Sequence, residues 1–120
     1  MPYIRWMGRP LNTVAYTSGF LSQAKAEGMT EVELAALERL LAANPAAGEM
    51  IVGSGGCRKI RLAKTGGGKS GGYRVVTFFA NPALPVYLLA VLAKGSRENF
   101  SDMEINAMAA VAKRIRSGAR

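Results

Sequence analysis

The chain has 120 residues, enough for one domain with a buried core but too few for two. Its residues are 49% apolar and 20% charged, as in a globular protein, and its formal net charge of +8 favours an acidic partner, with nucleic acid as the first candidate. The chain has no histidine, which excludes Ser-His-Asp and Cys-His catalysis and most zinc sites.

No apolar run approaches the length of a membrane span, about 18 residues, and the polar and helix-breaking residues among the first ten are unlike a signal peptide. Cys57 is the only cysteine, so no internal disulfide can form. We therefore expect a cytoplasmic protein without a membrane partner. We interpret Cys57 as a small strand residue without chemistry, because a thiolate nucleophile would lack a histidine partner.

Apolar residues recur at helical spacing in two segments of the chain and alternate in a third. Two pairs, Thr30 with Glu33 and Ser101 with Glu104, fit the capping box that begins a helix. The predicted elements are, in chain order, a strand at 12–16, a helix at 18–26, a helix from Thr30 to Asn44, strands at 57–63, 73–80 and 86–93, and a helix from Ser101 to about Arg116.

These elements predict a small α+β domain over 12–116, after an irregular segment over 1–11. Short connections make the last three strands an antiparallel meander, in which a Gly-rich hairpin over 64–72 joins the first two strands. The strand over 86–93 is almost continuously apolar, so we expect it to be central and buried on both faces.

The stretch from Gly53 to Arg74 is rich in glycine and cationic side chains, and no Asp or Glu lies between Glu49 and Glu98. Positive charge without nearby carboxylates favours a site for a polyanion. The glycines suggest mobile backbone, or backbone that comes close to a ligand. The cations of this stretch are Arg58, Lys59, Arg61, Lys64, Lys69 and Arg74.

Residues 63–70 match a relaxed phosphate-loop pattern, with Ala63 in place of the first glycine. That motif needs a helix directly after its Gly-Lys-Ser, so that backbone N–H groups can hold a phosphate. Here Gly71 and Gly72 follow, and then a predicted strand. We therefore reject a nucleotide-binding loop, and we expect neither a cofactor nor a metal.

Lys59 and Arg61 lie two residues apart on one predicted strand, so both project from the same face. Cations of the neighbouring strands and loops should gather at or near this surface, which would then bind phosphates in a salt-dependent way. They are Lys64, Lys69, Arg74, Lys94 and Arg97. An edge strand can also carry exposed cations simply to block aggregation.

Four segments, in this order and spacing, resemble the RelE/ParE superfamily of bacterial toxins, closest to its HigB-type branch: GSGGCRKIRLA, GKSGGYRVVTFF, VYLLAVLAKGSREN and SDMEI. The resemblance covers roughly residues 14–112. It implies a small α+β domain that forms an oligomer with a cognate antitoxin. It also implies one of two activities, because the RelE and HigB branches cut mRNA in the ribosomal A site, whereas ParE branches poison DNA gyrase.

The resemblance places the catalytic residues of the nuclease pattern on the basic residues. It assigns the two strand cations to Lys59 and Arg61, the arginine after Gly-Tyr to Arg74, and the lysine that closes the last strand to Lys94. Phe100 falls where some RelE proteins have a catalytic tyrosine; without a hydroxyl it can only stack on a base. The other expected RNA contacts are Arg58, Lys64, Lys69 and Arg97.

A cluster of lysine and arginine can support RNA cleavage without a metal, because it stabilises the charge that develops on the phosphorus. We expect Lys59 or Lys94 to act as the base, since neighbouring cations lower a lysine pKa, while Arg61 and Arg74 hold the phosphate. The favoured function is a ribosome-dependent mRNA endoribonuclease that inhibits translation. The alternatives are a ParE-like gyrase inhibitor without nuclease activity and a non-enzymatic basic RNA-binding domain.

Overall fold

The computed structural model describes three parts of the chain, 12–63, 72–93 and 100–118. They form a five-stranded sheet with helices packed on both faces, so the predicted small α+β domain is confirmed. The elements are β1 (Val14–Tyr16), α1 (Ser18–Ala26), α2 (Glu31–Ala43), β2 (Glu49–Met50), β3 (Cys57–Ala63), β4 (Gly72–Phe78), β5 (Val86–Ala93) and α3 (Asp102–Gly118). The segment 1–11 and most of the predicted Gly-rich hairpin lie outside the described residues.

Both predicted capping boxes are confirmed. The Thr30 hydroxyl accepts the Glu33 N–H at 3.1 Å, and Glu33 Oε1 accepts the Thr30 N–H at 2.8 Å. In the same way, Ser101 Oγ accepts the Glu104 N–H at 3.1 Å and Glu104 Oε1 accepts the Ser101 N–H at 2.7 Å. These bonds satisfy donors that a helix start leaves free, which is why α2 and α3 begin where the sequence predicts.

The sheet has the order β1-β5-β4-β3-β2, in which β1 pairs with β5 in parallel and the other neighbours are antiparallel. The three-stranded meander is therefore present as β3, β4 and β5. The middle position belongs to β4, and β5 lies between β4 and the short β1, which pairs only with Val86 to Leu88. The edge strand β2 has two residues, too few for the sequence to show a period.

Each face of the sheet has its own core. The core of the helix-pair face, which α1 and α2 cover, includes Phe20, Leu37, Leu41, Tyr73, Val75 and Val91. The core of the α3 face includes Cys57, Val76, Phe78, Met108 and Ala112. Successive side chains of a strand point to opposite faces, so β4 contributes to both cores and is buried along most of its length.

The glycines at 53–56 belong to a tight turn between β2 and β3, which is a role different from the mobile or ligand-binding backbone that we expect from the sequence. All three have φ between 77° and 109°, a region that glycine adopts without strain. Between them, the buried Ser54 hydroxyl donates to the Ile51 carbonyl at 2.6 Å and accepts the Cys57 N–H at 2.9 Å. This turn fixes the start of β3.

Within the described residues, no helix is long and apolar enough to cross a membrane.

Candidate nucleic-acid interface

The structure brings three of the four predicted catalytic cations together on the α3 face. In the β3–β4 pairing, Arg61 lies directly opposite Arg74, and Lys59 lies opposite Val76. Residues opposite each other in antiparallel strands project from the same face, with Cβ atoms about 5 Å apart. We call Lys59, Arg61 and Arg74 the cationic cluster. The fourth predicted cation, Lys94, lies outside the described residues.

The members of the cationic cluster differ in exposure. Arg61 is exposed and Lys59 is half-buried, whereas Arg74 is only 6% exposed. An arginine stays charged in proteins, so Arg74 adds a positive charge just below the surface that Arg61 presents to solvent. An anion can therefore contact Arg61 and Lys59 directly. The buried charge of Arg74 would also attract this anion, because the protein interior has a low dielectric constant and screens charge poorly.

Sequence reasoning missed one carboxylate beside the cationic cluster. Glu49 on β2 lies directly opposite Lys59 on β3, so both side chains project from the α3 face. In the sequence, Glu49 only marks the end of the acid-free stretch. Because β2 has two residues, no local pattern signals that Glu49 returns to the side of Lys59. This carboxylate offsets part of the positive charge of the cluster.

Arg58 does not join the cationic cluster. Because successive side chains of β3 point to opposite faces, Arg58 projects from the helix-pair face, where it lies opposite Thr77 of β4 and Met50 of β2. Its Nη1 donates to the Gly48 carbonyl at 3.0 Å, a bond that links β3 to the turn before β2. Among the other predicted RNA contacts, Lys64, Lys69 and Arg97 lie outside the described residues.

Phe100 is half-buried and packs against the core of the α3 face. Its ring also lines a cleft of about 230 Å³ between α3 and β5. Leu92 lines the same cleft and lies directly opposite Arg74 in the β4–β5 pairing. The predicted stacking residue and the cationic cluster are therefore at adjacent positions on the α3 face.

Cys57 is a fully buried residue of β3, as predicted from the sequence. Its thiol donates to the carbonyl oxygens of Ser54 at 3.6 Å and Met108 at 3.9 Å. Burial raises the pKa of the Cys57 thiol, and this outweighs the lowering by the Ser54 hydrogen bond and the Arg116 charge. A protonated, buried thiol fits a packing role and is no nucleophile.

A buried pair that the sequence does not reveal joins β4 to α2. The Tyr73 hydroxyl donates to Glu33 Oε1 at 3.0 Å, and both side chains are buried on the helix-pair face. Burial, followed by the hydrogen bond and the charge of Glu33, raises the pKa of Tyr73 to about 12. Tyr73 precedes Arg74, so this pair also fixes the strand segment that carries the buried cation.

The basic end of α3 is partly a structural clamp. Arg116 donates from Nη2 to the Gly55 carbonyl, and its guanidinium lies 5.1 Å from the centroid of the Phe78 ring. Its side chain thus attaches the end of α3 to the turn before β3. By contrast, Lys113 and Arg114 near the same end of α3 are exposed to solvent.

The fold and the cationic cluster define a small α+β domain with a basic sheet face. The family model described as "RelE toxin of RelE / RelB toxin-antitoxin system" matches residues 14–119. The chain therefore belongs to the RelE toxin family. It is the toxin component of a toxin–antitoxin system, and its family implies an antitoxin as partner.

A solved structure supports the same fold. It is that of the E. coli toxin RelE in the free state, carrying two arginine-to-alanine substitutions. The two chains superpose with a TM-score of 0.54 at 19% sequence identity, over 88% of this chain and 98% of the E. coli chain. The predicted RelE-like fold is thereby confirmed.

Proposed function

We propose that this toxin is an endoribonuclease that cuts mRNA on the ribosome without a metal, and that its cognate antitoxin silences it. The observation that carries the proposal is the pairing of Arg61 with Arg74, beside Lys59, on one face of the sheet. The net charge of +8 and the absence of histidine agree with cleavage by lysine and arginine. We assign the toxin to the HigB-type branch from the four sequence segments.

In the proposed reaction, the 2′-oxygen of the message attacks the adjacent phosphorus and the bond to the 5′-oxygen breaks. Lys59 or Lys94 accepts the 2′-hydroxyl proton. Arg61 contacts the phosphate directly, and the buried charge of Arg74 stabilises the same developing negative charge. The protonated lysine, directly or through a water molecule, then returns this proton to the departing 5′-oxygen. The products are a 2′,3′-cyclic phosphate and a 5′-hydroxyl, so atoms and charge balance without a metal.

The proposed dependence on the ribosome follows from the weak acid–base chemistry of the cationic cluster. Lysine and arginine are weak acid–base groups at neutral pH, so rapid cleavage requires a substrate held close to the attack geometry. Glu49 also limits the positive charge of the cationic cluster, which weakens the binding of free RNA. Ribosomal RNA would supply the missing orientation.

The experiment is to induce the toxin in cells and to map the 5′ ends of mRNA for the wild type, Arg61→Ala and Arg74→Ala. We expect cuts within reading frames, and a loss of at least about 100-fold in both variants, because each removes a charge that stabilises the transition state. Arg39→Ala and Arg114→Ala remove exposed cations from the helices and serve as charge-matched controls with normal cleavage.

Thermal unfolding of each variant separates lost catalysis from lost folding, which matters most for the buried Arg74. DNA damage with intact mRNA would contradict the proposal and identify a gyrase inhibitor. RNA binding with neither mRNA cleavage nor DNA damage would identify a non-enzymatic RNA-binding domain. Equal rates on naked RNA and on ribosome-bound mRNA would contradict the ribosome dependence alone.

A further inference from the structure

The helix α2 carries an apolar stripe that lies outside both cores of the sheet. Val32, Ala36 and Leu40 follow one another at intervals of four residues, so they form one row along the helix surface. Val32 is 68% exposed and Leu40 is 41% exposed. The core uses a different row of α2, which includes the fully buried Leu37 and Leu41. The apolar stripe is therefore a surface that the fold itself does not bury.

A row of two opposite charges runs beside the apolar stripe. Glu31, Ala35 and Arg39 are also spaced by four residues, each one position before a member of the stripe. Glu31 and Arg39 are exposed, and neither has an ion-pair partner within the parts of the chain that the structure describes. Eight residues span about 12 Å along a helix axis, so these two charges are too far apart to pair with each other in one copy.

The two rows become complementary when a second copy of α2 runs in the opposite direction. Antiparallel pairing centred on Ala36 brings Val32 against Leu40 of the second copy, and Glu31 toward Arg39 of the second copy. Each contact then occurs twice, once on either side of a two-fold axis. A symmetric dimer needs this self-complementarity, because the same patch of both copies forms its interface. Parallel pairing would instead place like charges opposite each other.

We propose that this toxin forms an antiparallel homodimer through α2, in which the apolar stripes pack together and two Glu31–Arg39 pairs join the copies. Because α2 lies on the helix-pair face, the cationic clusters of both copies remain accessible, and cleavage does not depend on the pairing. One pair of helices buries less than the roughly 1,600 Å² of a standard interface, so we expect dimers only at micromolar concentrations and above.

The test measures the average mass of the purified full chain by sedimentation equilibrium over a range of concentrations. We expect the mass to rise from the 12.7 kDa of the monomer toward twice this value. Arg39→Glu should weaken the dimer by at least about 10-fold, because two like-charge contacts replace two opposite-charge contacts. The double variant Glu31→Arg with Arg39→Glu exchanges the charges, so it should dimerise like the wild type.

The matched controls reverse exposed charges at comparable places on α3. Asp102→Arg, like Glu31→Arg, removes the acid from the first position of a helix. Arg114→Glu, like Arg39→Glu, reverses the charge of an exposed arginine on a helix. Neither control should change dimerisation, and thermal unfolding checks that every variant is folded.

A further variant, Val32→Ser, tests the apolar stripe. It should weaken the dimer by at least about 10-fold, because two valine side chains lose their buried contacts. A chain that stays monomeric at every concentration would overturn the inference, as would a dimer that Arg39→Glu leaves unchanged or a folded double variant that stays monomeric. Antitoxin binding to a monomeric wild type that Val32→Ser abolishes would also overturn it, because the stripe would then belong to the toxin–antitoxin interface.

Discussion

At the scale of single residues, two threonine hydroxyls differ in their hydrogen bonds. Thr17 Oγ1 accepts the Phe20 N–H at 3.1 Å and donates to the Leu88 carbonyl at 2.9 Å, so it caps α1 and ties it to β5. Thr77 is fully buried in β4, and its Oγ1 has no hydrogen-bond partner within the described part of the chain. A buried hydroxyl without a partner costs free energy that an isosteric methyl group would not.

We predict that Thr77→Val raises the free energy of unfolding by about 1 kcal/mol, because valine has the same shape and needs no hydrogen bond. Thr17→Val, the matched control, should lower it by about 1 kcal/mol, because it removes a helix cap. Urea denaturation of both variants measures the difference. A destabilised Thr77→Val protein would show that its hydroxyl is bonded in solution.

The Tyr73–Glu33 pair predicts a stability change at alkaline pH. The folded-state pKa of Tyr73 is raised to about 12, above the ordinary value of 10.0, so the unfolded chain loses this proton first as the pH rises. The stability from this group is complete below pH 10 and is lost between about pH 10 and 12, by up to about 3 kcal/mol.

Urea denaturation of the wild type and of Tyr73→Phe across this pH range checks the prediction. Cys57 also makes the protein less stable at alkaline pH, because its folded-state pKa is raised. Both proteins contain Cys57, so the difference between their free energies of unfolding isolates the effect of Tyr73. The advantage of the wild type over Tyr73→Phe should be constant below pH 10 and should shrink above it. A constant advantage up to pH 12 would contradict the buried hydrogen bond.

The position of Glu49 opposite Lys59 predicts an effect on RNA binding. Glu49→Gln should raise the affinity for single-stranded RNA by about 2- to 5-fold at low salt, because it removes a negative charge beside the cationic cluster. The gain should shrink as salt screens the charges. Fluorescence anisotropy at two salt concentrations measures it, with Glu31→Gln on α2 as a charge-matched control. An unchanged affinity for RNA at low salt would show that the Glu49 carboxylate does not lie near the bound RNA.

At the scale of elements, β2 depends on a glycine that precedes it. A Cβ atom at Gly48 would collide with Ile60 Cγ2 and with the Lys59 carbonyl oxygen, and the φ of Gly48 is 100°. β2 therefore approaches β3 so closely that no side chain fits at this position. This approach sets the register that brings Glu49 to Lys59.

Gly48→Ala should therefore lower the free energy of unfolding by more than about 2 kcal/mol, since it adds a steric clash to the strain of a positive φ. Gly28→Ala is the control, because Gly28 has a φ of 75° but open space around its Cβ position, so it should cost only about 1 kcal/mol. Thermal and urea unfolding compare the two. Equal losses would show that β2 moves away from β3 without penalty.

The elements also show which features a sequence can reveal. The bounds of α1 and β5 match the prediction residue by residue. The residues that end these elements, and their runs of apolar residues, can be recognised from neighbouring positions in the sequence alone. The pairing of Arg61 with Arg74 follows from alternation once two antiparallel strands are recognised. The burial of Arg74 depends on contacts between distant segments, and the Glu49–Lys59 pairing depends on a strand of two residues, so no local pattern encodes either.

At the scale of the whole molecule, the charges are segregated. Four of the eight acidic residues lie in or between α1 and α2, whereas β3 and β4 carry four cations and no acid. The four acids are Glu27, Glu31, Glu33 and Glu38. Because like charges repel, RNA should approach the α3 face of the sheet and avoid the helix pair.

The parallel pairing of β1 with β5 has a consequence for folding. Its partners, such as Val14 and Val86, lie 72 residues apart in the sequence (86 minus 14), so the sheet closes over a loop that contains every other strand. Long-range pairing of this kind slows folding, because the entropy of closing the loop is lost before the contacts form. During synthesis, β1 has no partner until the ribosome has released the chain beyond Leu88, so this toxin would complete its sheet late in its own translation.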